Sequence, residues 1–145
     1  MNATASKDKE QKNNKHYQYL VFIGRFQPFH CGHKAVIDEA LKRADNVIML
    51  IGSANLPRSL RNPFSVAERT AMIKGAYSDS DADRIHCVAL DDALYNDTRW
   101  LKYVQAGVRS VTNDLSADIG LIGHSKDSSS YYLSLFPNWA SVSVP

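Results

Sequence analysis

The run Gly24-Arg25-Phe26-Gln27-Pro28-Phe29-His30-Cys31-Gly32-His33 constrains this chain more than any other stretch. It follows an apolar run, Tyr19-Leu20-Val21-Phe22-Ile23, and precedes a helical pattern, Lys34 to Ala44, in which Ile37, Leu41 and Ala44 recur at spacings of four and three. A strand, a glycine-bearing turn and two histidines on the first turn of a helix make a place to hold an anion. The N–H groups at a helix N-terminus lack intrahelical partners and carry positive partial charge. Gly32 removes a side chain from that approach, and a spacing of three puts both imidazoles near one helix face. A neutral imidazole donates a hydrogen bond and becomes cationic with modest help, which suits charge developing on a phosphoryl group during displacement.

Several other chemistries are excluded. Gly32 is followed by His33, so there is no G-x-x-x-x-G-K-[ST] loop, and no G-x-G-x-x-G dinucleotide fingerprint occurs. HExxH and G-x-S-x-G are also absent. A zinc site from His30, His33 and His124 lacks an evident fourth ligand.

The rest of the chain alternates strands with helices. Tyr17–Ile23, Asn46–Ile51, Ile85–Leu90, Ile119–Ile122 and Trp139–Val144 read as strands. Between them, Ser65 stands three before Glu68 as a capping box for a helix with Val66, Thr70, Ile73 and Tyr77 on one face. Asp79–Asp83 reads as a charged turn. Asp97 or Thr98 caps a helix lined by Leu101, Val104, Val108 and Val111, and a short helix is expected around Tyr131–Leu135. The strands are almost continuously apolar, as when helices cover both faces of a parallel sheet. The fold class is therefore α/β: a Rossmann-like parallel sheet of about five strands with helices on both faces, in the order 3-2-1-4-5. Ligands of such sheets sit beyond the carboxyl ends of the strands where the winding reverses. Here that point lies between strands one and four, where the opening run faces Gly123-His124-Ser125-Lys126-Asp127.

At 145 residues and 44% hydrophobic content, the chain suits one domain, 17–145, behind a polar tail, 1–16, expected to be disordered. Its 17 basic and 15 acidic residues give a net charge of +2, too balanced to advertise nucleic acid or an anionic membrane. The two cysteines, Cys31 and Cys87, show no CxxC spacing, and no apolar run is long enough to span a bilayer; both point to the cytoplasm.

The ten-residue run resembles the signature of the HxGH nucleotidyltransferases. Within that family it looks most like the nicotinamide mononucleotide (NMN) adenylyltransferases of the archaeal type and the related domain fused to a Nudix hydrolase in bacteria. The resemblance extends through Gly52-Ser53-Ala54, Arg61-Asn62-Pro63-Phe64-Ser65-x-x-Glu68-Arg69, Asn96 to Trp100, and Gly123 to Asp127. It implies adenylyl transfer from ATP to NMN, forming NAD and pyrophosphate. The implied catalytic residues are His30, His33 and Arg25, with Gly24, Phe26, His30, His33, Gly123, His124 and Asp127 around ATP. Arg61, Asn62, Asn96 and Trp100 would hold the acceptor. Mg²⁺ is implied only through the ATP phosphates, with no metal ligand from the protein; ATP and NMN are the implied partners, and homo-oligomers are allowed. Phosphopantetheine adenylyl transfer, polyol-phosphate cytidylyl transfer and a truncated, non-catalytic nucleotide-binding module are the alternatives. The family carries an S-x-T-x-x-R segment after the fifth strand that grips the triphosphate. The domain is expected to lack it, and no Nudix box is present.

Overall fold

A computed structural model describes residues 15–93, 96–113, 117–124 and 139–144. In chain order the elements are β1 (Tyr17–Gly24), α1 (Cys31–Arg43), β2 (Ala44–Ile51), α2 (Val66–Gly75), α3 (Asp79–Ala82), β3 (Ile85–Ala89), α4 (Asp97–Thr112), β4 (Ile119–His124) and β5 (Ala140–Val144). The strands form one sheet in the order β3-β2-β1-β4-β5, every pair parallel. This is the order the alternating pattern predicts.

Strand alternation explains why both faces are apolar. On β1 and β2, Leu20, Phe22, Val47, Met49 and Ile51 point to one face, where Val36, Ile37 and Ala40 of α1 and Ile73 of α2 cover them. Val21, Ile48 and Leu50 point to the other, under Val104 and Val108 of α4. Gly107 lets α4 approach closely: a Cβ there would lie 3.1 Å from Leu50 Cδ2.

Several boundaries differ from the sequence reading. The first helix begins at Cys31, because His30 rather than a later residue caps it. It runs into β2 without a loop, Ala44 already being extended (φ −144°, ψ 155°). The Asp79–Asp83 turn contains a single helical turn, capped by Ser78. Helix α2 stops at Gly75, so Tyr77 lies beyond it, yet Tyr77 still packs on the core and donates its hydroxyl to Asp38 Oδ1 at 2.9 Å. The last two residues of the expected tail are tied down: Lys15 pairs with Asp118 at 2.8 Å and His16 contacts Asp45 at 2.7 Å. The rest of the tail, 1–14, the helix expected around Tyr131–Leu135, and Asp127 lie outside the described residues. Among the described residues, no helix is long and apolar enough to cross a membrane.

Candidate active site at the strand ends

The ends of β1, β2, β3 and β4 converge on a cavity of about 580 Å³, lined on one side by Gly24, Arg25, Phe26, His30, His33 and His124. Gly52, Ser53, Leu90, Asp92 and Trp100 line its other side. The first group comes from β1, the start of α1 and β4, which is the switch point; the second comes from the ends of β2 and β3 and the first turn of α4. Parallel strands lie about 4.8 Å apart, so the β3 end sits roughly 10 Å from the β1 end.

The two histidines build the cap of α1 themselves. His30 Nδ1 accepts the Gly32 N–H at 3.1 Å, and His33 Nδ1 accepts the His30 N–H at 3.2 Å. This is a capping box made from imidazoles in place of the usual hydroxyl and carboxylate. An Nδ1 that accepts from the backbone carries no proton, so each neutral ring has its proton on Nε2. The rings stack 3.6 Å apart with a 22° interplanar angle. Phe26 meets His33 edge-on at 4.8 Å and Phe29 stacks on it at 5.9 Å, so aromatic neighbours fix the ring. Helix N-terminal charge and two oriented N–H donors thus act on one side of the cavity.

Gly32 has a different role from the one its position suggests. A Cβ there would lie 2.9 Å from His30 Cε1 and 3.7 Å from His124 Nε2. The missing side chain makes room for the imidazoles themselves. His124, the last residue of β4, lies with its Nε2 3.0 Å from the Gly32 carbonyl, so the two histidine-bearing segments do converge. Gly24 is needed for a similar reason: a Cβ would sit 2.8 Å from the ring of Phe26. Phe26 is 1% exposed and left-handed (φ 52°), an uncommon conformation for a bulky residue. The Gln27–Pro28 peptide bond that follows is cis.

Arg25 and the Arg61-Asn62 loop come together. The Arg25 guanidinium donates to the Arg61 carbonyl at 2.7 Å and to Asn62 Oδ1, so it ties that loop to the end of β1 while lining the cavity. Gln27 adds a two-way clip: it donates to the Phe64 carbonyl (3.0 Å) and accepts the Phe64 N–H (2.9 Å). Arg58 pairs with Glu68 at 2.8 Å, and Glu68 also accepts the Ser65 N–H. That backbone N–H first, then the Ser65 hydroxyl and Arg58, hold the Glu68 carboxyl below its ordinary range.

Four expected site residues lie off the cavity lining itself. Arg61, Asn62, Asn96 and Gly123 do not line the cavity. Asn96 is the cap of α4, in place of Asp97 or Thr98: its Oδ1 accepts the Arg99 N–H at 3.0 Å. The preference for the first of three consecutive capping side chains is settled by Asn96 alone having non-helical backbone (φ −137°, ψ 83°). Trp100, one turn on, does line the cavity and packs on the core beneath α4.

Two residues of the runs that carry the resemblance, Arg69 and Ser53, have roles that the sequence reading did not assign. Arg69 on α2 is 2% exposed. Its Nη1 donates at 2.7 Å to both the Arg25 and Gly52 carbonyls, and its Nε reaches the Ser65 carbonyl at 3.3 Å. Burial, with the nearby Arg25 charge, pushes its pKa below the ordinary guanidinium value. The second feature is Ser53, 5% exposed and left-handed (φ 55°), whose Oγ donates to Asp92 Oδ2 at 2.9 Å.

Known proteins resemble this chain in sequence and in fold. Residues 21–130 match the family model described as cytidylyltransferase-like. The nicotinamide/nicotinic acid mononucleotide adenylyltransferase of Acinetobacter baylyi is 47% identical over 128 residues, covering 88% of this chain and 67% of that protein. The nicotinamide-nucleotide adenylyltransferase of Saccharolobus solfataricus is 41% identical over 86 residues, covering 58% of this chain and 49% of the relative. A Francisella tularensis bifunctional NMN adenylyltransferase/ADP ribose pyrophosphatase, crystallised with AMP and a manganese ion, superposes with a TM-score of 0.80 at 35% identity, covering 89% of this chain and 37% of that one. The chain thus spans about half the length of the archaeal relative and little more than a third of the Francisella protein. By the match over 21–130 and by its kinship to the Acinetobacter protein, the chain belongs to the cytidylyltransferase-like family of nucleotidyltransferases.

Proposed function

We propose that this domain transfers the adenylyl group of ATP to nicotinamide mononucleotide, forming NAD and pyrophosphate. The observation that carries the proposal is the imidazole capping box. It holds two neutral rings with their protons on Nε2 at a helix N-terminus that faces the cavity. The relatives' names supply the acceptor class.

In this reading an oxygen of the NMN phosphate attacks the α-phosphorus of ATP. The bond from that phosphorus to the oxygen bridging to the β-phosphate breaks, and pyrophosphate leaves. The attacking phosphate is already anionic, so no base is needed. Catalysis is positioning plus stabilisation of charge on the transferring group. His33 would donate to the bridging and α-phosphate oxygens and His30 to the neighbouring phosphates, with Arg25 adding charge. Gly24 and Phe26 would line the nucleotide by backbone, and Gly123, His124 and Asp127 would lie near the adenosine. Arg61 and Asn62 would take the acceptor phosphate, Trp100 would stack on the pyridine ring, and Asn96 would pair with its carboxamide.

In this reading Mg²⁺ would arrive on the ATP phosphates, since this ion keeps much of its water and is commonly held by substrate oxygens. It would neutralise charge on the pyrophosphate. The reading carries with it a cytoplasmic location, and the domain 17–145 acts in it as one catalytic unit, with a homo-oligomer compatible.

The test is a steady-state assay with three acceptor sets: ATP with NMN, ATP with phosphopantetheine, and CTP with glycerol phosphate. Turnover with the first set alone is expected. Turnover with another set, or binding of both nucleotides without NAD formation, refutes the assignment.

A further inference from the structure

The β2–β3 side of the cavity holds a carboxylate with no role so far. We infer that Asp92, oriented by Ser53, is the specificity-determining residue for the acceptor base, acting as counter-charge to a pyridinium ring on Trp100 and selecting the carboxamide over the carboxylate. The inference rests on the proposed acceptor class and deepens it.

Three observations converge. First, Asp92, Ser53, Leu90 and Trp100 line the same side of the cavity. An N-ribosylated pyridine is a cation, and its face suits an indole while its charge suits a carboxylate. Second, the carboxylate is held, not loose. Ser53 Oγ donates to Oδ2 at 2.9 Å, Asn55 Oδ1 accepts the Asp92 N–H at 3.0 Å, and the Ala54 N–H donates to the Leu90 carbonyl at 3.0 Å. Ser53 itself is left-handed (φ 55°), and strain of that kind gathers where geometry matters for function. The one side-chain contact the carboxylate makes among the described residues is that of Ser53 with Oδ2, and Asp92 lines the cavity. Third, Ser53 and Asp92 follow β2 and β3, the strands on the side of β1 away from β4 and His124, which groups the pair with Trp100.

The two candidate acceptors differ only at the 3-substituent of the ring. Nicotinamide mononucleotide offers an N–H donor and a base with net positive charge. Nicotinic acid mononucleotide offers a second carboxylate, which neutralises the ring and repels Asp92. A fixed charge facing a like charge is the strongest available means of rejecting an otherwise identical ligand. The Acinetobacter relative's name carries both acceptors and the Saccharolobus name only the amide, so the relatives leave this choice open.

Calorimetric titration of the full chain with each mononucleotide reads the inference without requiring turnover. The wild type is expected to bind NMN at least about tenfold more tightly than nicotinic acid mononucleotide. Asp92→Asn should narrow that ratio to within about threefold, chiefly by improving the acid, and Ser53→Ala, which keeps the charge but releases it, should fall between. A change in selectivity is not something a merely structural residue produces. A wild-type ratio near one overturns the inference, as does a ratio unchanged in Asp92→Asn. If Asp92→Asn does not fold, the wild-type ratio and the Ser53→Ala ratio decide. Selective binding without NAD formation would refute the proposed reaction while leaving the role of Asp92 standing.

Discussion

Replacing Arg69 by methionine should unsettle both sides of the cavity at once. The guanidinium donates from one nitrogen to the carbonyls of Arg25 and Gly52, and these residues immediately precede Phe26 and Ser53, both left-handed. One buried side chain on α2 therefore clasps the turn after β1 and the turn after β2. Methionine keeps the apolar stem and removes every donor. Hydrogen bonds from a charged donor contribute about 1.5–3 kcal/mol each, and orphaned buried carbonyls add to the loss. Relief from burying a charge with no carboxylate partner offsets part of it. The net destabilisation should be about 2–4 kcal/mol. With a urea m-value of about 2 kcal/mol per molar for a domain of this size, the midpoint should fall by about 1–2 M. Arg69→Lys, a point charge without the fork, should lose about half as much. Because both turns line the cavity, KM should rise for ATP and for the acceptor together in either variant. A methionine variant with a midpoint within about 0.3 M of wild type and unchanged KM values would refute the clasp.

Two further outcomes follow from the described contacts. His33→Ala should slow turnover by about 10²–10³-fold with a much smaller change in melting temperature, measured by stopped assay and thermal denaturation; unchanged turnover removes His33 from the chemistry. His86 should make stability fall with acid. Burial lowers its pKa below the ordinary value of 6.5, and its Nε2 lies 3.0 Å from Asn46 Oδ1. The unfolded chain then binds the proton first, so the contribution is present above pH ~6.5 and is lost as pH falls toward the folded-state pKa. Urea midpoints from pH 7.5 to 5 should drop more for wild type than for His86→Gln, and parallel curves would contradict this.

Sheet order was legible in the sequence because each strand is a short, nearly unbroken apolar run and each connection carries helical periodicity. Those signals are local. The imidazole pair was legible for the same reason, since His30, Gly32 and His33 lie within one turn and need no distant partner to meet. What escaped depends on contacts across the chain. Arg69 closes one of the runs that carry the resemblance, but its role appears only when α2 packs and brings it to carbonyls 44 and 17 residues away. Asp92 meets Ser53 across 39 residues. The cap of α4 was misassigned because Asn96, Asp97 and Thr98 all carry capping side chains, and only the backbone turn before the helix chooses among them.

The central claim is that the imidazole-capped helix start directs attack on the α-phosphorus of ATP. It is tested most directly by following labelled phosphorus through one turnover with NMN and Mg²⁺. Label from the α-position should appear in NAD and label from the γ-position in pyrophosphate, in equal amounts, with both signals greatly slowed in His33→Ala. Release of γ-label as inorganic phosphate, or no α-label in NAD, would contradict the account.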